Sequence, residues 1–233
     1  MPEDLAPDDV LSYLEMCSPF QVNLQRGMNF RLRQDCSVVL MSTRDGAPYE
    51  DAVQENGKII IYEGHDAPRR RTGPDPKSID QPEFQPNGRR TQNGLFIEAV
   101  RAFKEGRSLP EKVRVFEKIR DGIWVYNGIF ELIDGWAERS GSRRIFKFKF
   151  RVSEDTPISP ISPFSMDSDR VIPSVVKLEV WKRDKGRCVK CGSNQNLHFD
   201  HIIPYSLGGS SKDAKNIQIL CAKHNLEKHD RVE

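Results

Sequence analysis

Apolar and polar positions change period several times along this chain, and each change marks an element. Residues 91–106 place Leu95, Phe96, Ala99, Val100 and Phe103 at helical spacing with Gly106 at the end. This predicts an amphipathic helix whose apolar side chains are core. Residues 144–151 alternate instead, Phe146, Phe148 and Phe150 against Lys147, Lys149 and Arg151, so a strand is predicted with Phe inward and the basic side chains outward. Further strands are predicted at 36–41, at 58–62, and as a three-stranded antiparallel meander at 113–119, 123–126 and 129–133. The meander's joints are Asp121-Gly122 and Asn127-Gly128, both hairpin dipeptides. Near the start, Val10, Leu11 and Leu14 share one side of a predicted helix capped by Asp8. Residues 67–91 are rich in Pro, Arg and Gly, including Arg69-Arg70-Arg71 and Arg89-Arg90, and form a long loop rather than a core. Residues 153–173 carry Pro157, Pro160, Pro163 and Pro173 among serines and acids, an extended linker. Ser174 then caps a helix predicted to run through Lys185.

Composition narrows the class. With 233 residues, 37% hydrophobic and 30% charged, the chain has room for one large or two modest domains. No apolar run approaches a membrane span, and Met1-Pro2-Glu3-Asp4 lacks the positive, then apolar, start of a signal peptide. The expectation is a cytoplasmic protein without a membrane partner. Reduced thiols fit that compartment, Cys17 and Cys36 being buried or idle rather than bridged. The net charge of +2 hides an asymmetry: residues 174–233 hold 11 Lys and Arg against 7 Asp and Glu, the remainder 25 against 27. Such an excess suits a nucleic-acid partner and equally an ordinary solvated surface. There are no internal repeats.

The last sixty residues concentrate the chemistry. Four of the five histidines (His198, His201, His224, His229) and three of the five cysteines (Cys188, Cys191, Cys221) fall there. Cys188-x2-Cys191 and Cys221-x2-His224 are two knuckles 29 residues apart, the spacing of a tetrahedral Zn2+ site. A lone Cys-x2-Cys also serves as a redox pair; the second knuckle turns the pair into an ion site. Between the knuckles the pattern reads as a strand at 197–203 stopped by Pro204, a loop at 207–210, a second strand at 216–220, and a helix from about Cys221. Together with Asp200-His201-x2-Pro204-x-Ser206-x-Gly208-Gly209 and Asn216-Ile217-x2-Leu220-Cys221-x2-His224-Asn225-x2-Lys228, this order resembles the ββα-metal module of the HNH nucleases. The resemblance implies His201 as general base, Asn216 as the residue that holds and orients the local loop, and Asp200 and Asn225 as ligands of a catalytic Mg2+ or Mn2+. His229, one helical turn beyond Asn225, is the second choice. Two positions depart from the family pattern: His224 stands where cysteine is commoner, which zinc accepts, and the final letter is Asn225 rather than His. Adjacent residues of a strand point to opposite faces, so Asp200 and His201 converge on one phosphate only where the strand twists or ends.

The front of the chain carries a second resemblance. Tyr62-Glu63-Gly64-His65-Asp66, the helix start Thr91-Gln92-Asn93-Gly94, the stretch 110–115, Trp124-Val125-Tyr126-Asn127-Gly128, Trp136-x-Glu138 and the 146–150 strand occur in the order of the SRA domain, the reader of modified cytosine, over residues 35–152. SRA readers flip the modified base out of the duplex and hold it between aromatic rings. Extrusion costs a few kcal/mol, and stacking returns about 1–3 kcal/mol per base. The resemblance implies Tyr49 and Tyr62 as the stacking pair, Asp51 as acceptor from the cytosine amino group (Ala52 standing opposite the acidic position if the loop is one residue longer), and Glu63 and Gly64 as pocket lining. The bland alternative is that both tyrosines are ordinary core.

The combined expectation is an α+β protein. An N-terminal helical brace at 1–34 precedes an SRA-like (PUA-like) twisted antiparallel β-barrel with helices at 35–152, a linker at 153–173, and a zinc-clipped HNH domain at 174–233. The arrangement resembles the SRA–HNH modification-dependent restriction endonucleases. It implies hydrolysis of double-stranded DNA containing 5-methylcytosine or 5-hydroxymethylcytosine, with structural Zn2+ and catalytic Mg2+ or Mn2+. One nuclease site per chain cuts one strand, so a double-strand break calls for a homodimer or two encounters. The rivals are a zinc-bearing reader of modified DNA that does not cut, and an HNH nuclease whose front domain binds RNA or unmodified DNA.

Overall fold

The computed structural model describes residues 5–32, 36–153, 171–204, 207–228 and 231–232, with the backbone alone for Cys36 and Asn56. Most of the predicted linker and His229 lie outside the described residues. The fold is α+β, and its strands join one mixed sheet built around a long antiparallel hairpin.

That hairpin is β7 (Ile123–Ser140) with β8 (Arg143–Val152), turned at Gly141. β6 (Glu111–Arg120) pairs with the first part of β7, and the turn at Asp121-Gly122 is the predicted hairpin. At Asn127-Gly128 the expected second turn does not form. The chain continues as one strand, with Val115 opposite Gly128 and Phe116 opposite Tyr126, so Asn127 is the extra residue of a bulge. Gly128 has φ 104, a conformation that a residue with a Cβ resists. The reason for the bulge is chemical: it sends the Asn127 side chain inward to donate to Glu117 at 3.2 Å and accept from Lys177 at 2.7 Å.

β3 (Cys36–Met41) pairs with β2 (Met28–Leu32) on one side and, in parallel, with β6 on the other. The sheet is therefore not wholly antiparallel as expected. β8 continues to β5 (Ile59–Glu63), and β5 to β4 (Ala52–Gln54). On β8 the three phenylalanines are buried as the alternation predicts, but Lys147 is buried too, 6% exposed. Its ammonium lies 3.3 Å from the Glu63 carboxylate, and a buried charge is tolerated when paired in this way. The helix α2 (Gln92–Lys104) has Thr91 as its cap, the hydroxyl accepting from the Gly94 amide, and Phe96, Ile97 and Val100 pack onto the strands.

The N-terminal segment departs from the predicted helix. Residues Asp9–Ser12 form β1, and only Tyr13–Cys17 form a helix, α1, with Ser12 and Glu15 as a capping box. The cap of α1 is Ser12 rather than Asp8, which has φ 74. The helical spacing is overridden because β1 finds partners on both edges: β7 on one side and β9 (Leu197–His201) on the other. β9 pairs with β10 (Ile217–Cys221), followed by α4 (Ala222–Lys228). The tail's strands thus continue the front sheet through β1, and Asp9 accepts from His198 Nδ1 at 2.6 Å across that junction. α3 (Ser174–Arg183) begins after Pro173 without the expected Ser174 side-chain cap. Val176 and Val180 of α3 share a core with Ile119, Val125, Leu197, Phe199, Ile217 and Ile219. Lys177, fully buried, extends from α3 into the front sheet, 3.5 Å from both Glu117 and Asp8.

Candidate functional site

The candidate metal centre is assembled by strand pairing. A turn beginning at Cys188 is closed by Gly192 N–H to the Cys188 carbonyl (2.8 Å), and it is tied to β10 by Val189 N–H to the Ile219 carbonyl (3.0 Å). Cys221 ends β10 and His224 lies in the first turn of α4. The ligand atoms of Cys188, Cys191, Cys221 and His224 all lie within 4.8 Å of one another. Cys188 Sγ and Cys221 Sγ are each 3.3 Å from His224 Nδ1, and Cys191 Sγ is 3.8 Å from Cys221 Sγ. Tetrahedral zinc with Zn–S of about 2.3 Å and Zn–N of about 2.0 Å separates two sulfurs by about 3.8 Å and a sulfur from a nitrogen by about 3.5 Å. Three thiols and an imidazole at these separations fit Zn2+ in donor type and in size. Burial opposes ionisation of Cys188, but the amides of Cys221, Cys191 and Lys190 and the His224 ring outweigh it and bring the thiol down to about 6, toward the thiolate that zinc requires. Among the described residues this is the one group of metal-ligand side chains so clustered.

Between β9 and β10 lies a connection whose described residues are 202–204 and 207–216. The Asn216 carboxamide bridges it: Oδ1 accepts from the Ile203 amide at 2.8 Å, and Nδ2 donates to the Ile203 and Ser210 carbonyls, both at 3.1 Å. Gly209 packs so closely that a Cβ there would stand 1.8 Å from the Ile203 carbonyl oxygen. At the end of β9 the His201 ring meets Ser211, Nε2 to Oγ 2.8 Å. Asp200 contacts other neighbours: Gln218 Nε2 at 3.1 Å and the ammonium of Lys228 at 3.1 Å. Lys228, 2% exposed, also donates to the His201 carbonyl at 2.7 Å. Asn225 is half-buried on α4, one turn before Lys228. The alternation of a strand thus sends Asp200 and His201 to different partners. Sequence spacing marks neither contact: Ser211 belongs to no motif, and the only signal at Lys228 is that it ends the pattern running from Asn216.

In the front half, Asp51 and Glu63 are brought together but are fully engaged. Asp51 accepts from the Ser42 and Glu63 amides, each at 3.0 Å. Burial dominates those bonds and raises its carboxyl to about 7. Glu63, 3% exposed, is held by Arg143 at 3.2 Å and by Lys147. Gly64 leaves no room for a side chain, a Cβ meeting Asn93 Oδ1 at 2.7 Å. Both expected stacking residues, Tyr49 and Tyr62, contact the ring of His65. Tyr62 is 1% exposed and packs in the core, its hydroxyl 3.0 Å from His65 Nε2. The ring that faces Tyr49 is His65, stacked at 5.2 Å and 9°, while the Lys77 ammonium lies 4.0 Å from the Tyr49 ring centroid. Burial lowers His65 to about 4, so this ring is neutral. His65 stood within the quoted front motif, but sequence spacing carries no sign of which ring turns toward Tyr49. A separate cavity of about 520 Å³ opens between β4, α3 and Lys212, with Asp51 and Glu117 on its wall; Tyr49, Tyr62 and His201 do not line it. No described helix is long and apolar enough to cross a membrane.

Comparison with known proteins bears on both halves. Residues 188–231 match the HNH endonuclease family model. No curated protein matches the chain. Among solved structures, the SRA domain of SUVH5 in complex with hemi-methylated CG DNA is similar at 20% identity and a TM-score of 0.45, over 69% of this chain and 97% of that one. The same domain bound to fully hydroxymethylated CG DNA gives 20% and 0.44, over 69% and 96%. The modification-dependent restriction endonuclease TagI is similar at 18% and 0.43, over 99% of this chain and 79% of that one. The strand, loop, strand and helix from Cys188 onward are those of an HNH endonuclease domain, and over residues 188–231 this chain carries one.

Proposed function

We propose that this protein is a DNA endonuclease that recognises modified cytosine by base flipping and hydrolyses a phosphodiester bond in its HNH domain. The observation that carries the reading is a coincidence of place. The residues matching the HNH family are those where a Cys3His cluster of zinc dimensions flanks a loop pinned by Asn216 beside His201. In this reading His201 takes the proton of the attacking water and Asn216 holds the loop that borders it. Cys188, Cys191, Cys221 and His224 hold structural Zn2+. Asp200 and Asn225 offer a carboxylate and an amide oxygen, hard donors suited to Mg2+ or Mn2+, with His229 the second choice. Such an ion, when bound, supplies positive charge to the phosphate as it becomes five-coordinate. Lys228 competes for Asp200 until then and keeps that carboxylate in place.

For the base, Tyr49 provides the outer ring, Tyr62 and Gly64 the floor, and Asp51 and Glu63 the polar wall. Entry of a base displaces His65 or Lys77 from Tyr49, because a ring stacked at 5.2 Å leaves no gap for another. One methyl group in a shaped pocket is worth roughly 1–3 kcal/mol, so 5-methylcytosine and 5-hydroxymethylcytosine are preferred over cytosine by degree. The reading places the protein in the cytoplasm, takes the domains as 1–34, 35–152, 153–173 and 174–233, and needs two chains or two encounters for a double-strand break. The test is cleavage of cytosine, methylcytosine and hydroxymethylcytosine duplexes in Mg2+ or Mn2+; equal cutting of all three removes the reader's role. One observation favours a second reading, a reader that binds without cutting: both Asp200 oxygens are within reach of Lys228. His201→Ala separates the two, since an enzyme loses cleavage and keeps binding, whereas a pure reader had no cleavage to lose.

A further inference from the structure

We infer that Ser211 is the positioning residue for His201, holding the imidazole of the proposed base through a hydrogen bond between Oγ and Nε2. The inference rests on the assignment of His201 as base and adds a residue that no motif in the sequence marks.

Three observations carry it. The bond is 2.8 Å long, a full-strength separation. Ser211 is 2% exposed, so its hydroxyl competes little with bulk water. The backbone on either side of it is fixed: Asn216 Nδ2 holds the Ser210 carbonyl at 3.1 Å, and the Lys212 amide donates to Ser210 Oγ at 3.1 Å. On the other side of the ring, Lys228 holds the His201 carbonyl at 2.7 Å. Backbone and ring are thus anchored separately, the first by an ammonium and the second by a hydroxyl.

The chemical consequence follows from the donor rules of the two groups. A neutral imidazole has one N–H and one bare nitrogen, and a neighbour's hydrogen bond decides which nitrogen is which. Nε2–H donates to Ser211 Oγ and leaves Nδ1 as the bare nitrogen that takes the proton of the water; both nitrogens then carry hydrogen and Nε2–H keeps its bond to Ser211 Oγ. A serine hydroxyl accepts that bond without itself changing protonation. The residue therefore orients the ring before proton transfer and stabilises the cation afterwards, without touching DNA.

The test compares Ser211→Thr with Ser211→Val in the full chain, a pair of nearly equal shape that differs in the hydroxyl, with His201→Ala alongside. Steady-state cleavage of a methylated duplex in Mg2+, the Kd for the same duplex without metal, and the thermal midpoint are measured for each. Supporting outcome: Val lowers kcat about 10–100-fold relative to Thr, the range usual for residues that orient a reacting group through hydrogen bonds, with KM, Kd and midpoint the same in both. Equal kcat for Thr and Val while His201→Ala is inactive overturns the role of Ser211 and leaves the base assignment standing. A Val variant that loses DNA binding or thermal stability along with kcat overturns it in favour of a structural role. Full cleavage by His201→Ala removes the base assignment itself, and the role of Ser211 with it.

Discussion

Replacing Lys177 with methionine tests whether the tail and the front sheet are locked by a buried charge. Lys177 is fully buried, with its ammonium 2.7 Å from Asn127 Oδ1 and 3.5 Å from the carboxylates of Glu117 and Asp8. Glu117 is itself 2% exposed, and its other partners are neutral: Asn127 Nδ2 at 3.2 Å and Thr43 Oγ1 at 3.4 Å. At that separation, with an effective dielectric of about 20, each ion pair has a gross attraction of about 5 kcal/mol, most of it offset by the cost of taking both charges out of water. Deleting the cation leaves that desolvation cost without its compensation, which typically amounts to about 3–5 kcal/mol. Lys177→Met should therefore lower the unfolding free energy by about 4 kcal/mol. Adding Glu117→Gln should recover most of it, because the more deeply buried of the two orphaned carboxylates is then gone and Gln still reaches Asn127. Urea denaturation followed by tryptophan emission reads this directly, since Trp181 lies on α3 with Lys177. A cost below about 1 kcal/mol, the value of an exposed pair, refutes the reasoning. So does a double variant no more stable than the single.

Three further outcomes are expected. Purified protein should contain about one zinc per chain by elemental analysis, and Cys221→Ser should lose the metal and lower the thermal midpoint, because the cluster ties the Cys188 turn to β10. Gly209→Ala should cost about 2 kcal/mol and abolish cleavage, since its Cβ would meet the Ile203 carbonyl; a wild-type cleavage rate counts against the loop's role. Asp51, raised by burial to about 7 from an unfolded value near 3.8, binds its proton more tightly when folded, so its contribution to stability is complete below pH 4 and is lost as pH rises through 7. His65, lowered by burial to about 4 from 6.5, contributes stability above pH 6.5 that is lost as pH falls through 4. Asp51→Asn should accordingly gain stability relative to wild type as pH rises from about 4 to about 7 in denaturant titrations, and a difference that does not change with pH contradicts the buried carboxyl.

The sequence by itself determined the features that are local in the chain. Knuckle spacing settled which four side chains could share an ion, because each pair lies within one turn and only the strand between the knuckles had to bring the pairs together. Alternation placed the phenylalanine face of β8, and helical spacing placed α2, since each buries one continuous apolar face. Tertiary structure decided what depends on partners remote in sequence. Residues 9–12 carry helical spacing yet pair as a strand, because β7 and β9 satisfy their backbone groups on both edges. Asn127-Gly128 reads as a hairpin yet forms a bulge, because Glu117 and Lys177 require the asparagine inside. The ring against Tyr49 is that of His65, and the bonds made by Asp200 and His201 go to Lys228 and Ser211. Period and composition describe how a segment meets the core; which side chain reaches which charge or ring is settled only when segments a hundred residues apart are packed together.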